Sequence, residues 1–320
     1  MIWGHEAAVE QFRSAWDKRT LHHAWLLAGP KGVGKASFAR AAAARVLAQA
    51  AGPAFDLAGL EVPDDHPVAK LIAAGSHPDM RWLERLEKEK GDGLARDITV
   101  KQVRELGEFM GMTSALSPWR VAVIDSMDEM NKEAANALLK MLEEPPPNTI
   151  FFLASHAPGR LLPTIRSRCR RLQFKPLDAD AMASVLSRHL PETTEAERQR
   201  LAGLADGSVG RALAFASLDL ADLEDGTRAI LDVGDPDNSK RLALAGQLGR
   251  KGATDRYSAF LDLLPSLVSA KARASASDQR ERALDAYDRV RELVAVAPRL
   301  SLDPAATVFQ LGTILATVAD

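Results

Sequence analysis

The sequence predicts an α/β fold in which a parallel sheet is covered by helices on both faces, followed by an all-helical second half. Short apolar runs alternate with helical patterns through the first half, which is typical of parallel strands joined by crossover helices. After Pro176 the strand-like runs disappear and amphipathic helical patterns follow one another. We therefore expect the sheet domain to span residues 1–175.

The individual elements follow from hydrophobic periodicity and from breaker residues. Apolar runs predict strands at residues 24–28, 80–84, 120–125, 149–155 and 169–174. Helices are predicted over 35–50 and 99–112, and from Asn131 to the three prolines at 145–147 that end it. In the second half, helical patterns cover residues 178–189, 194–205, 209–216, 257–264, 277–297 and 304–319. The stretch 52–76, rich in Pro, Asp and Gly, is interpreted as an insertion.

Composition bounds the class of protein. The 320 residues are 46% hydrophobic and 26% charged, which predicts a folded chain of two or three domains. A run of about 18 apolar residues and a signal-peptide layout are both missing, so we expect a cytoplasmic protein without membrane contact. The single cysteine, Cys169, agrees with a reducing compartment. With 41 basic and 43 acidic residues, any DNA contact must be local or shared with partners.

A glycine-rich turn between the first strand and the first predicted helix carries the clearest chemistry. Residues 29–35 read Gly-Pro-Lys-Gly-Val-Gly-Lys and open a helix. In that context the backbone amides of a G-x-x-x-x-G-K loop cradle phosphates, and the lysine supplies positive charge. We therefore predict that Gly29, Gly32, Gly34 and Lys35 bind nucleotide, the alternative being a glycine-rich connection with a chance lysine.

The position after Lys35 departs from a hydrolytic loop. Such a loop has Ser or Thr there, whose hydroxyl holds magnesium, whereas this chain has Ala36. Ser37 follows one step too late and is rotated about 100° around the helix. Magnesium coordination is therefore expected to be poor.

The acidic half of such a site is predicted at Asp125, which ends an apolar strand. Related ATPases place a glutamate next to orient the attacking water, and here that position is Ser126. This pattern favours a nucleotide-binding fold that has lost hydrolysis. The alternative is an active ATPase in which Ser37 or a water replaces the missing hydroxyl and Asp128 or Glu129 the missing base.

Several motifs together resemble the AAA+ clamp-loader proteins over about residues 4–216. They are His23-Ala24, the loop 29–35, His77-Pro78-Asp79, the run from Asn136 to Pro146, and Ser167-Arg168-Cys169. The resemblance implies an AAA+ domain at 1–175, a small helical lid at 176–217 and a helical collar at 218–320 that joins subunits. The His-Pro-Asp motif and the replaced hydrolytic positions favour a non-hydrolysing subunit over the motor subunit.

The resemblance also implies roles for three further residues. Arg168 would reach into a neighbour's nucleotide site as an arginine finger, a group worth about 10³ to 10⁵ in rate. Its alternative is a solvated arginine on a basic edge. Ser155 would sense the terminal phosphate or merely cap its strand, and Arg211 would act from the lid or merely cover a helix with its stem.

Zinc is the point at which the sequence departs from the family. Relatives commonly carry a four-cysteine zinc module between the first helix and the second strand, and residues 52–76 occupy that place without a cysteine. The acidic and histidine residues nearby match no tetrahedral ligand template. We expect no zinc, and we leave open whether ATP or ADP is bound without turnover.

Three functions follow as hypotheses. The first is a silent ring subunit that donates Arg168, with gamma/tau-type ATPase subunits and a delta-type subunit as partners in a hetero-pentamer that acts on a sliding clamp and primed DNA. The second is an ATPase motor of the gamma/tau type. The third is a stand-alone DNA-binding protein that uses the basic residues Arg166, Arg168, Arg170, Arg171 and Lys175, which the near-neutral charge disfavours.

Overall fold

In a computed structural model of the protein, the structure describes residues 2–88 and 94–319. The chain divides into two compact units, Met1–Ala181 and Met182–Asp320. The predicted further division at residue 217 stays a prediction. Over the described ranges, helices that combine the length and apolar character needed to cross a membrane are absent.

The first unit is built on a parallel sheet. Its described residues form five strands, β1 (Ala24–Ala28), β2 (Met80–Leu83), β3 (Arg120–Ile124), β4 (Thr149–Ser155) and β5 (Arg170–Gln173). The strand order is β2-β3-β4-β1-β5, and every neighbouring pair is parallel. The predicted strands are confirmed to within one residue at each end. Because β1 lies between β4 and β5, the chain that leaves it is flanked by both of their carboxyl ends.

Helices cover both faces of this sheet, as predicted. They are α1 (Glu6–Asp17), α2 (Lys35–Ala50), α3 (Pro67–Ala73), α4 (Val100–Gly111), α5 (Lys132–Glu143) and the short α6 (Pro163–Arg166). Alternate residues of β1 point to opposite sides, since Trp25 and Leu27 join the core with α1 to α3, whereas Leu26 joins the core with α4 and α5.

Local sequence explains where α4 and α5 begin. The Thr99 backbone N–H donates to Gln102 Oε1 at 3.0 Å while the Gln102 N–H donates to Thr99 Oγ1 at 3.4 Å, which is a capping box. The Asn131 side chain accepts from the Ala134 N–H at 2.8 Å, so the predicted start of α5 is confirmed. This helix ends at Glu143, just before the prolines.

The stretch 52–76, interpreted as an insertion, contains a helix that the sequence pattern did not predict, α3. His66 caps that helix, with its Nδ1 accepting from the Val68 N–H at 3.2 Å. Val68 and Ile72 are buried in the same core as α1 and α2. Val68, Leu71 and Ile72 stand at helical spacing, but seven residues are too few to give a clear periodic signal, which is why the pattern predicts no helix there.

The second unit is helical throughout its described residues, as predicted. Its elements are α7 (Ala179–His189), which begins in the first unit, α8 (Glu195–Ala205), α9 (Val209–Leu218), α10 (Ala221–Val233), α11 (Ser239–Leu248), α12 (Thr254–Ala274), α13 (Ser277–Leu300) and α14 (Pro304–Ala316). The predicted end at residue 264 was wrong, because α12 continues through Pro265. Buried Leu261, Leu264 and Val268 hold both sides of the proline in one apolar stripe, and this packing outweighs the lost backbone hydrogen bond.

The His-Pro-Asp motif has a structural explanation. Asp79 is buried, and its carboxylate accepts from the N–H groups of Ala115, Leu116 and Ser117 at 2.6, 2.7 and 2.8 Å. Burial alone would raise the pKa of Asp79, but these hydrogen bonds hold it below its ordinary value. One side chain thus fixes the loop between α4 and β3.

We predict that Asp79→Asn lowers the free energy of unfolding by about 2–3 kcal/mol, because an amide replaces a charged acceptor of several hydrogen bonds. Since the folded-state pKa of Asp79 is depressed, its contribution is present at neutral pH and is lost as pH falls through that pKa. Urea unfolding at pH 7 and pH 3 checks both points. Asp64→Asn, at an exposed position, is the control, and equal stability of the two variants at pH 7 would contradict the prediction.

Candidate nucleotide-binding site

The loop after β1 adopts a conformation that requires glycine. The Gly29 N–H donates to the Ser155 carbonyl at 3.2 Å, and a Cβ at Gly29 would overlap the Phe174 backbone oxygen. Gly32 and Gly34 have φ angles of 77° and 104°, in the left-handed region. The predicted phosphate loop therefore lies at the carboxyl ends of β1, β4 and β5.

Lys35 is turned back onto this loop. It is only 4% exposed, and its Nζ donates to the Gly29 carbonyl at 2.7 Å and the Pro30 carbonyl at 2.5 Å. Burial lowers the pKa of Lys35 to about 8, and the carboxylates of Asp125 and Asp128 oppose that shift. A phosphate bound here would have to replace the two carbonyl oxygens as the partner of the ammonium group.

Asp125 and Ala36 face one cavity of about 440 Å³, which Glu84 also lines. Burial raises the pKa of Asp125; Lys35 opposes this rise and Glu84 adds to it. The place where a magnesium-binding hydroxyl would stand is therefore an alanine beside two acidic side chains.

The residues of the site suit the two parts of a magnesium nucleotide unequally. The loop, with its left-handed glycines and Lys35, fits a phosphate group. Ala36 offers no oxygen to magnesium, so of the two protein positions that hold the metal in a hydrolytic loop only Asp125 supplies one. Ser126 is buried, and among the described residues its hydroxyl has no hydrogen-bond partner.

Asp128 and Glu129, the two alternative catalytic bases, each bind other groups in the structure. Asp128 accepts from Ser155 Oγ at 3.0 Å and from the N–H groups of His156 and Ala157 at 2.5 and 3.1 Å. Glu129 pairs with Arg85 Nε at 2.9 Å. Burial raises the pKa of Glu129, and Arg85 opposes that rise. A role as catalytic base would therefore require either carboxylate to give up partners that it has within the described residues.

Ser155 lies beside the loop, but its hydroxyl is bound to Asp128. Its side chain is fully buried, and its carbonyl accepts from Gly29. It therefore joins the end of β4 to both the loop and the turn after β3. The phosphate-sensing role stays a prediction.

His5 is a residue of this site that sequence reasoning missed. Its Nε2 lies 2.6 Å from the Val33 carbonyl, and its ring packs edge-on against Phe174 at 4.6 Å between centroids. Burial lowers the pKa of His5, while the bond to Val33 opposes that shift. His5 and Val33 are 28 positions apart in sequence, and no local pattern could have revealed the contact.

Arg168 is positioned apart from the loop residues. Its Nη2 pairs with Glu143 Oε1 at 2.7 Å, and its Nη1 donates to the Thr164 carbonyl at 3.0 Å. The half-buried Cys169 next to it packs against the core under α4 and α5. The structure therefore brings Gly29, Gly32, Gly34, Lys35, Asp125 and Ser155 together and leaves Arg168 at a different place.

Other basic residues named from the sequence also have partners within the chain. The guanidinium carbon of Arg170 lies 5.2 Å from the centroid of the Trp25 ring, and Arg171 Nη2 donates to Gln173 Oε1. Two of the basic residues named for DNA contact therefore have partners within the sheet. Arg211 belongs to the second unit, where its backbone N–H donates to the Ser208 hydroxyl at the start of α9. Its role at a nucleotide stays a prediction.

The parallel sheet, the glycine-rich loop after β1 and the acidic residue after β3 define the first unit as a P-loop domain with the AAA+ fold. Residues 4–178 match the model of the family described as DNA polymerase III, delta subunit, and the chain belongs to this family.

Individual relatives agree with this assignment. The chain is 40% identical to the DNA polymerase III subunit delta' of Pseudomonas aeruginosa, over 58% of this chain and 53% of the relative. It is 30% identical to the gamma/tau subunit of Mycobacterium tuberculosis, over 97% of this chain and 56% of the relative. The chain thus spans about half the length of the curated relatives it matches. The expected resemblance to the clamp-loader proteins is confirmed, and the family model and the Pseudomonas relative identify it as one to the delta' subunit.

A solved structure is also similar, a DNA polymerase III gamma subunit-related protein of Thermotoga maritima. It matches with a TM-score of 0.46 and 16% identity, over 97% of this chain and 100% of that one.

We predict a pH dependence of stability that comes from Lys35. Its folded-state pKa of about 8 lies below the ordinary 10.5, so folding carries a cost below pH 8 that is relieved as pH rises toward 10.5. Relative to Lys35→Met, the wild-type free energy of unfolding should rise between pH 8 and pH 10, by at most about 1.4 kcal/mol per pH unit. Urea titrations check this, with Lys31→Met at an exposed position of the same loop as the control. Parallel curves for wild type and Lys35→Met would refute it.

We also predict that Cys169 is unreactive in the folded protein. Burial raises its pKa to about 12, so the thiolate that reacts with alkylating reagents is scarce at pH 8. Iodoacetamide should modify it roughly 50-fold more slowly in buffer than in urea, after allowing for the greater nucleophilicity of a high-pKa thiolate. Mass spectrometry of this single-cysteine chain measures both rates, and equal rates would be the contrary result.

Proposed function

We propose that this chain is a delta'-type subunit of the DNA polymerase III clamp loader, and so a component of the polymerase holoenzyme. It works in a hetero-pentameric ring with gamma/tau ATPase subunits and a delta subunit. The ring loads the sliding clamp onto primed DNA during chromosomal replication. Membership of the family and the delta' relative support this proposal.

Within the ring, the chain acts as a stator that lacks intrinsic ATPase activity and donates Arg168 in trans to a neighbour's nucleotide site. One contrast carries this proposal: Ala36 and Ser126 occupy the two hydrolytic positions, while the Ser167-Arg168-Cys169 triplet is retained. Arg168 is about one-third exposed and remains accessible to a partner. A guanidinium group of this kind neutralises charge that develops on a transferring phosphate.

The phosphate loop keeps the groups that hold a nucleotide without turnover. Its three glycines and Lys35 supply backbone amides and a positive charge, so ATP or ADP is the expected ligand. Asp125 and Ser155 complete this degenerate site, and Arg211 has the lid role that the resemblance implies. Residues 218–320 serve as the collar that joins subunits.

An ATPase motor of the gamma/tau type is the second candidate function. The match to a gamma/tau subunit over 97% of this chain favours it. The bonds of Asp128 to the end of β4 and of Glu129 to Arg85 argue against it, because they occupy both substitute bases. Magnesium-dependent hydrolysis by the isolated chain that Lys35→Ala abolishes would establish the motor.

We predict that Arg168→Ala lowers hydrolysis at the neighbouring site by roughly 10³-fold, because an arginine finger is worth at least this much. The measurement is DNA- and clamp-stimulated ATP hydrolysis in single turnover, by a loader reconstituted with gamma/tau and delta subunits. Arg166→Ala, two residues away on the same turn, is the matched control and should leave the rate unchanged.

Gel filtration separates a chemical role from an assembly role. The Arg168→Ala loader should elute as the intact complex while its hydrolysis falls. An unchanged rate in an intact complex would reduce Arg168 to a surface arginine and overturn the stator proposal.

A further inference from the structure

We infer that Glu143 is the positioning residue of the Arg168 finger, an inference that rests on the proposed function. The carboxylate of Glu143 accepts from Arg168 Nη2 at 2.7 Å, and the Thr164 carbonyl accepts from Nη1 at 3.0 Å. Both terminal nitrogens of the guanidinium are thus held within the same chain. The two sequence motifs, the run that ends at Pro146 and the triplet 167–169, meet at this pair.

The backbone on both sides of the pair is fixed by buried contacts. Glu143 is the last residue of α5, and the Leu142 carbonyl before it accepts from His23 Nε2 at 3.1 Å. On the other side, the Arg168 N–H donates to the carbonyl of Ile165 at 3.1 Å, and Ile165 is 1% exposed. The two side chains therefore meet from anchored positions on α5 and on the turn after α6.

Helix stability does not explain a glutamate at this position. The carboxyl end of a helix carries partial negative charge, so a carboxylate there is unfavourable unless a cation compensates it. Arg168 supplies that cation. The neighbouring Glu144 lies just outside α5 and is exposed, so it has the same charge in almost the same place without this partner.

The Arg168–Glu143 ion pair is weak compared with the rate effect of an arginine finger, and this difference shows whether Glu143 positions Arg168 or holds it back. The side chains of Arg168 and Glu143 are 35% and 48% exposed, and an exposed ion pair shifts an equilibrium by about fivefold at most. A finger accelerates hydrolysis by about 10³ to 10⁵. The pair is therefore too weak to hold Arg168 back from a phosphate, but it is strong enough to favour one orientation of a flexible side chain.

The same geometry leaves Arg168 able to serve both partners. A guanidinium has five N–H donors in a planar fork, of which the Glu143 and Thr164 bonds use two. The remaining donors can meet a phosphate while Glu143 keeps the plane of the group oriented. Glu143 acts through Arg168 and does not itself touch the nucleotide.

The test uses the reconstituted loader in single-turnover hydrolysis. We expect Glu143→Ala to lower the rate about fivefold, Glu143→Gln to recover at least half of that loss through its amide oxygen, and Glu144→Ala to match wild type. In the Arg168→Ala background, Glu143→Ala should cause no further fall, because its effect passes through Arg168. All complexes should assemble equally in gel filtration.

Each contrary outcome has a distinct meaning. If Arg168→Ala leaves the rate unchanged, Arg168 is not an arginine finger and that part of the proposed function is overturned. If Arg168→Ala lowers the rate but Glu143→Ala equals wild type, only the positioning inference is overturned. A faster Glu143→Ala loader would show restraint, and an equal fall in both backgrounds would show a general structural role; either result also overturns it.

Discussion

The contact of Gly29 with two neighbouring strands is the constraint on which the site depends. Its N–H binds the end of β4, and its missing side chain lets the backbone lie against Phe174 after β5. Any other residue would force the strands apart, because the overlap is with backbone and cannot be relieved by a rotamer change. The direction in which the phosphate loop leaves the sheet, and the burial of Lys35, both follow from this junction.

Several polar groups around the loop bind one another, whereas the Ser126 hydroxyl has no partner among the described residues. Lys35 donates to loop carbonyls, and the Asp128 carboxylate accepts from the Ser155 hydroxyl and from two backbone N–H groups. These bonds hold the loop, the end of β4 and the turn after β3 together.

The sequence predicts the secondary structure and the loop glycines, which depend on patterns within a few residues. It does not predict contacts between residues that are far apart along the chain. The strands, the start of α5 at Asn131 and the loop glycines follow from patterns within a few residues. Pro265 misled the prediction because packing around it overrides the local penalty. The contact of His5 with Val33 and the pair of Glu143 with Arg168 join residues far apart in sequence, and a single sequence carries no signal for such contacts.

The separation of Lys35 from Arg168 has a genetic consequence under the proposed function. Among the described residues, their hydrogen-bond partners have no member in common. Alleles that replace Lys35 without disturbing the fold would therefore be recessive or silent, since they affect only this subunit's own nucleotide. Alleles that alter Arg168 would disable a neighbour inside an otherwise normal complex and act dominantly. The two motifs of one chain are consequently free to diverge at different speeds.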